Sequence, residues 1–393
     1  MSDPKPALWT RNFVLISAMN FQLVLIFYLL VIVMVGYAIH ELGASTAQGG
    51  LVSGIFIVGT LIGRLFIGPF IQRFGAKNTL MSGLIGFLLC SLLYFLPLDL
   101  KSVFAVRFFH GLSMGVASTV LGTLIAQIIP PQRRGEGIGY FSMSTALATA
   151  IGPFLAIYAM QYVGYAEIFM LSSLIALSAI AVAGFIRPPQ RMGSPSSRAA
   201  APKATGSRYI EKKALPISTV ILCCSMAYVG VLSFLSFYAK EIHLVETALF
   251  FFLVYAVTIL ISRPITGPLM DRRGENIIMY PAFICMAVGL LLLSQANSSV
   301  LLLSSAALLG LGYGNIQSVC QTIAIKQVSI ERAGYATSTF FIFLDAGLGF
   351  GPYLIGLALD SISYSSLYVY SAVFTLGCLV LYYLLHGRMT THG

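Results

Sequence analysis

Apolar runs of roughly twenty residues follow one another along the chain, separated by short polar breaks. A helix rising about 1.5 Å per residue needs some twenty such residues to cross about 30 Å of hydrocarbon, so each run predicts a membrane-spanning helix. Twelve are predicted, at 12–37, 48–70, 79–97, 102–129, 138–160, 166–186, 216–238, 247–270, 277–295, 300–325, 334–358 and 366–386. The first is too long for a signal-peptide core and reads as a retained span. The longest polar break runs from Arg187 to Lys213 and holds seven Lys or Arg, one Glu and several Pro, Gly and Ser. It cannot bury a core and reads as a flexible linker. The predicted organisation is a six-helix bundle over 1–186, a basic linker over 187–213 and a second six-helix bundle over 214–393.

Composition excludes a soluble chain: 58% of the 393 residues are hydrophobic, 9% are charged and the mean hydropathy is +0.89. The net charge of +10 reports topology rather than nucleic-acid affinity. With an inside N-terminus, cytoplasmic segments hold 18 of the 23 basic residues and outside loops only Lys101 and Lys240. Both termini are therefore expected in the cytoplasm, with lipid as a partner. All six cysteines fall in predicted spans and form neither a disulfide framework nor a metal-ligand spacing, so no metal or cofactor is expected.

The two halves match at a constant offset of 199 residues. GRLFIGPFIQRFG (63–75) falls on SRPITGPLMDRRG (262–274), pairing Arg64 with Arg263, Gly68 with Gly267, Arg73 with Arg272 and Gly75 with Gly274. Further along, Gly111 meets Gly310, Arg133 meets Arg332, Gly135 meets Gly334, Gly152 meets Gly351 and Pro153 meets Pro352. Six helices repeated in one orientation imply two bundles related by a pseudo-twofold axis along the membrane normal.

GPFIQRFGAK after helix 2 resembles the G-x-x-x-D-R-x-G-R-K signature of the major facilitator superfamily, and MDRRGEN repeats it after helix 8. VRFFHGLSMG in helix 4 is similar to that family's R-x-x-Q-G-x-G segment. IGPFLA in helix 5 and GLGFGPYLIG in helix 11 resemble its antiporter Gly-Pro element. The resemblance implies the twelve-helix, all-α membrane fold of that family, in its drug and metabolite efflux branch. It further implies a conformational clamp drawn from Gln72, Arg73, Asp271, Arg272, Arg133 and Arg332. The family's loop aspartate is replaced by Gln72 in the first copy and kept as Asp271 in the second. A carboxylate is suited to a helix N-terminus, which carries partial positive charge, so Asp271 is expected to cap the start of helix 5.

FFIFLDAGLGFGP (340–352) places Asp345 inside an apolar run, eleven residues and about 16 Å past Gly334, close to the bilayer midplane. A charge there costs somewhere between about 2.5 and more than 10 kcal/mol unless paired, hydrated or protonated. Asp345 is unmatched in the repeat, where Ala146 stands, and so is free to bind a proton or a substrate. A fixed ion pair with Arg263 is the competing structural role. Arg107 and His110 are also unmatched and share a helical face. They complete the candidate proton-coupling set, although burial against a neighbouring helix accounts equally for His110.

Candidate cavity residues are Asn20 and Gln22 on helix 1, Tyr228 on helix 7, and Tyr313, Asn315, Gln317 and Gln321 on helix 10. Interhelical bonding competes with cavity lining for the amides. Gly152, Pro153, Gly347, Gly351 and Pro352 are expected to serve helix packing and bending. No nucleophile and base pattern or nucleotide loop is present, so the chain is not expected to be an enzyme. The function expected is proton-coupled efflux of a small organic compound by a monomer in a bacterial inner membrane. Import of a sugar, amino acid or organic anion is the alternative on the same scaffold.

Overall fold

The computed structural model describes residues 6–96, 99–186, 210–359 and 362–389. Among them are the twelve long helices: α1 (Arg11–His40), α2 (Thr46–Phe74), α3 (Ala76–Leu93), α4 (Leu100–Ile128), α5 (Arg134–Tyr162), α6 (Tyr165–Gly184), α7 (Leu215–Glu241), α8 (Phe251–Arg273), α9 (Asn276–Ser294), α10 (Ser299–Lys326), α11 (Ala333–Leu359) and α12 (Tyr364–Leu385). Eleven are long and apolar enough to cross a membrane among the described residues. α11 is the twelfth, and several of its side chains, Pro352 included, lie outside those described. The predicted linker lies outside the described residues as far as residue 209.

The apolar pattern places four boundaries four residues from where they fall: the ends of α2 and α3 and the starts of α5 and α8. The helix predicted from 247 begins at Phe251, after a short turn of helix at Val245–Ala248. Hydropathy cannot mark this break, because apolar residues continue through it.

Two compact units contain the packing. The first comprises 1–131, 147–212 and 329–339; the second comprises 132–146, 213–328 and 340–393. The opening turns of α5 and α11 thus each pack with helices of the other repeat. In the first unit α2 packs on α4, α3 on α4 and α6, and α1 on α6. In the second, α8 packs on α10, α9 on α10 and α12, and α7 on α12. These are the same pairs shifted by six helices.

Close backbone approach explains the matched glycines. A Cβ on Gly111 of α4 would fall on the carbonyl oxygen of Phe56 in α2, and one on Gly310 of α10 would lie 2.6 Å from that of Tyr255 in α8. Without a driving force from water, helices in lipid associate through such close packing. Gly111→Val is expected to lower the midpoint of thermal unfolding in detergent, at a cost of about 1–3 kcal/mol for overpacking. Gly184→Ala, with nothing within 4 Å of its Cβ, is the control and leaves the midpoint unchanged. Gly75 and Gly274 have a different role: they close α2 and α8 with φ of 81° and 86°, backbone that a side chain strains.

Candidate functional site

Arg64 and Arg263 occupy equivalent positions and do equivalent things. Arg64 donates from Nη1 to Thr119 Oγ1 at 3.3 Å, while Arg263 donates from Nη1 to Ser318 Oγ, the residue matching Thr119. Arg263 also reaches Asn315 Oδ1 at 3.2 Å and, from Nη2, the carbonyl of Gly314 at 2.7 Å. That carbonyl ends a π turn at Gly310–Gly314, where the matching stretch of α4 is regular helix. A π turn inserts an extra residue and re-aims the side chains on it. Here it carries Tyr313 against Tyr228 of α7, ring centroids 4.1 Å apart and nearly parallel, with Tyr255 of α8 5.6 Å away on Tyr228. Ser225 lies 3.0 Å from the Tyr313 hydroxyl.

The predicted cavity amides divide. Asn315 is buried, its carbonyl accepting from Arg263 and Thr266 and its amino group donating to Leu311, so it joins α8 to α10. Gln22 donates to Ser178 Oγ at 2.8 Å and joins α1 to α6. Asn20 and Gln321 are buried, and Gln317 is half-buried.

Arg107 and His110 share a face, as their spacing predicts, and it is turned into the first unit. Both are fully buried. Arg107 Nε donates to the Val52 carbonyl at 3.2 Å, and its guanidinium carbon lies 4.4 Å from the Phe56 ring centroid. His110 is 3.0 Å from the Tyr94 hydroxyl through Nδ1 and 4.1 Å from Phe87, ring to ring.

Asp345 is half-buried in α11, within the second unit. Across the twelve helices it is the only acidic residue placed more than a turn from either end. The amino groups of Arg263 donate to Asn315, Ser318 and Gly314. Two residues on, a Cβ at Gly347 would lie 2.7 Å from the Leu222 carbonyl, and Gly351 sits against Val229, so this face of α11 lies directly on α7. Gly152 lies against Tyr28 in the same manner, and Pro153 is within α5.

Within the second unit, the end of α8 meets the start of α5. Asp271 Oδ1 accepts from the Gly135 N–H at 2.8 Å and Oδ2 from the Glu136 N–H at 2.9 Å. These are two of the four amide groups that a helix N-terminus leaves unsatisfied, and a carboxylate there also complements the helix dipole. Gly267 permits the approach: a Cβ on it would lie 2.7 Å from the Glu136 Cα. Arg133 forks onto Glu136 at 2.8 and 2.7 Å. Arg73 and Arg272 are exposed, and the Gln72 side chain lies outside those described.

Sequence reasoning passed over Lys326, whose Nζ lies 3.1 Å from Glu275 and 3.7 Å from Asp271. Burial pushes the Glu275 carboxyl up, but Lys326, a backbone hydrogen bond and His386 together hold the group below its ordinary value. The signal was present in the repeat register: Gln127 stands where Lys326 does, as Gln72 does for Asp271, so one copy carries the charged pair and the other two neutral amides.

A family model described as the Major Facilitator Superfamily matches residues 15–343, and again 247–391. The chain belongs to the major facilitator superfamily. Its relatives within the superfamily include an uncharacterized MFS-type transporter of Methanocaldococcus jannaschii, 22% identical over 351 residues and covering 88% of this chain and 90% of the relative. Multidrug resistance protein MdtG of Dickeya zeae is 24% identical over 388 residues, 95% of this chain and 93% of its own. Multidrug resistance protein 1 of Bacillus subtilis is 24% identical over 332 residues, 82% and 83%. Among solved major facilitator structures, the human organic anion transporter MFSD10 superposes with a TM-score of 0.77 at 14% identity, covering 96% of this chain and all of that one. The proton:xylose symporter XylE superposes at 0.73 with 13% identity, over 95% of each chain. This is a multi-pass membrane transporter, not an enzyme.

Proposed function

We propose that this transporter exports a small organic compound in exchange for protons, by alternating access. The observation that carries the reading is Asp345: a carboxylate in mid-helix, absent from the other repeat, on a helix that its glycines pack directly against α7. Burial favours the neutral carboxylic acid and hydration the carboxylate, so a group exposed alternately to the two sides takes up a proton on one and releases it on the other. Arg107 contributes a second intramembrane charge that acts through the contact of α4 with α2. The buried tyrosines Tyr228 and Tyr313 and the neutral amides Gln317 and Gln321 on α7 and α10 suit amphipathic or weakly polar compounds better than highly charged metabolites. The similarity to two multidrug resistance proteins supports the export direction.

In this orientation both termini are cytoplasmic in a bacterial inner membrane, and Asp271 holds the cytoplasmic end of α5 while access is from outside. Cycling to the inward-facing state requires the Gly135 and Glu136 amides to leave that carboxylate.

The test is accumulation of a fluorescent amphipathic compound in a bacterial strain stripped of its own efflux pumps. Expression is expected to lower accumulation, and a protonophore to restore it. Accumulation that rises with expression would establish import and overturn the proposal.

A further inference from the structure

The starts of α5 and α11 occupy equivalent places in the two repeats, yet they are secured by different residues. At α5 the cation Arg133 is met by Glu136 of the same helix, and the exposed amides are met by Asp271. At α11 the matching cation is Arg332, but Tyr335 stands in place of Glu136 and Gln72 in place of Asp271. Neither can supply a carboxylate.

Arg332 is nevertheless ion-paired. Its Nε donates to the carboxylate of Glu211, which lies at the end of the segment joining the two sets of six helices. Glu211 is 5% exposed, a depth of burial unusual for a glutamate unless it is paired. The same residue makes a second bond into α11: its backbone N–H donates to Thr339 Oγ1 at 2.9 Å, and Thr339 in turn donates to the Tyr335 carbonyl at 2.8 Å. The Arg332 guanidinium also lies 4.9 Å from the Tyr335 ring centroid. Side chain and backbone of Glu211 therefore bracket the first two turns of α11. On the residue before Thr339, the Ser338 hydroxyl donates to the Arg64 carbonyl of α2. The first repeat has no equivalent of this residue, because 199 positions earlier the chain has Asn12 inside α1.

We propose that Glu211 is a positioning residue of the transport cycle: the end of the linker supplies the acid that the end of α2 lacks in this chain and holds the start of α11 in place. Thr339 fixes the backbone at Glu211, Glu211 fixes Arg332, and the two together couple the end of the linker to the start of α11. Removing the carboxylate frees α11 to leave its seat. Restoring an acid at position 72, where the repeat places Asp271, replaces it from another direction. The proposal rests on the alternating-access reading and needs neither the proton nor the identity of the substrate.

The experiment uses the full chain in lipid nanodiscs, comparing wild type, Glu211→Gln, Glu211→Asp and Gln72→Asp in the Glu211→Gln background. Hydrogen exchange is followed in the peptide spanning 333–341. Spin-label distances are measured between Cys introduced at 73 and 272, both exposed positions. Glu211→Gln is expected to speed exchange about tenfold, the usual worth of a hydrogen bond to a charged group, and to enlarge the long-distance population. Glu211→Asp and the Gln72→Asp double variant are expected to return both readouts toward wild type. Faster exchange with an unchanged distance distribution would overturn the proposal, since Glu211 would then only tack the linker down. So would a Glu211→Gln protein indistinguishable from wild type. Neither result bears on proton flux, and loss of proton flux in wild type would leave the Glu211 measurements standing.

Discussion

Asp345→Asn abolishes proton-driven accumulation of substrate while leaving the exchange of labelled for unlabelled substrate intact. Asparagine keeps the size and hydrogen-bonding capacity of the protonated acid but cannot release a proton, so the variant is held in one charge state throughout the cycle. Exchange needs no net proton movement and continues. Uphill transport needs the proton, which at 100 mV supplies about 2.3 kcal/mol, roughly a fifty-fold concentration ratio. Vesicles containing wild type are expected to approach that ratio, and those containing Asp345→Asn to stay near unity. Uphill accumulation by the variant would return Asp345 to the scaffold, where α11 already packs closely on α7 through Gly347 and Gly351. Loss of exchange as well would make it a substrate ligand.

Asp271→Asn loosens the start of α5. The carboxylate accepts two backbone bonds at 2.8 and 2.9 Å, faces a helix N-terminus and lies 3.7 Å from the Lys326 ammonium, all with its side chain only 8% exposed. An amide keeps one accepting oxygen and turns an N–H donor toward the other amide. Hydrogen bonds to charged groups contribute about 1.5–3 kcal/mol, and a factor of ten corresponds to about 1.4 kcal/mol. The start of α5 is therefore expected to open at least tenfold more often, seen as faster hydrogen exchange at Gly135 and Glu136. Lys326→Gln is expected to move exchange in the same direction by less, because it removes charge but no bond to α5. Unchanged exchange in Asp271→Asn would show that the contact does not hold the helix.

The twelve helices were legible because hydrocarbon imposes a length and an apolar composition on each, and the repeat was legible because close packing demands glycine at matched positions such as Gly111 and Gly310. The cap on α5 was anticipated from the resemblance and from the charge lost at Gln72. Tertiary detail was less accessible. Asn315 reads as a cavity amide on its own helix, and only the position of Arg263 on α8 reveals that its bonds are spoken for. GLGYG gives no local sign of a π turn, and the bond from Arg263 to its last carbonyl, that of Gly314, is made only across the helix interface. Arg107 and His110 share the face their spacing predicts, but which neighbours that face meets is decided by how α2, α3 and α4 pack. Glu211 looks like a charge in a polar linker until α11 is brought beside it.

Proton movement in proteoliposomes tests the central claim most directly. Purified protein is reconstituted with a pH dye in the lumen, and amphipathic compounds, sugars and organic acids are added in turn across a fixed membrane potential. Exchange of substrate for protons predicts that a transported compound moves protons in the opposite direction to itself, and that the signal vanishes in Asp345→Asn. Transport of a labelled compound with no proton signal, or with protons travelling in its own direction, would contradict it.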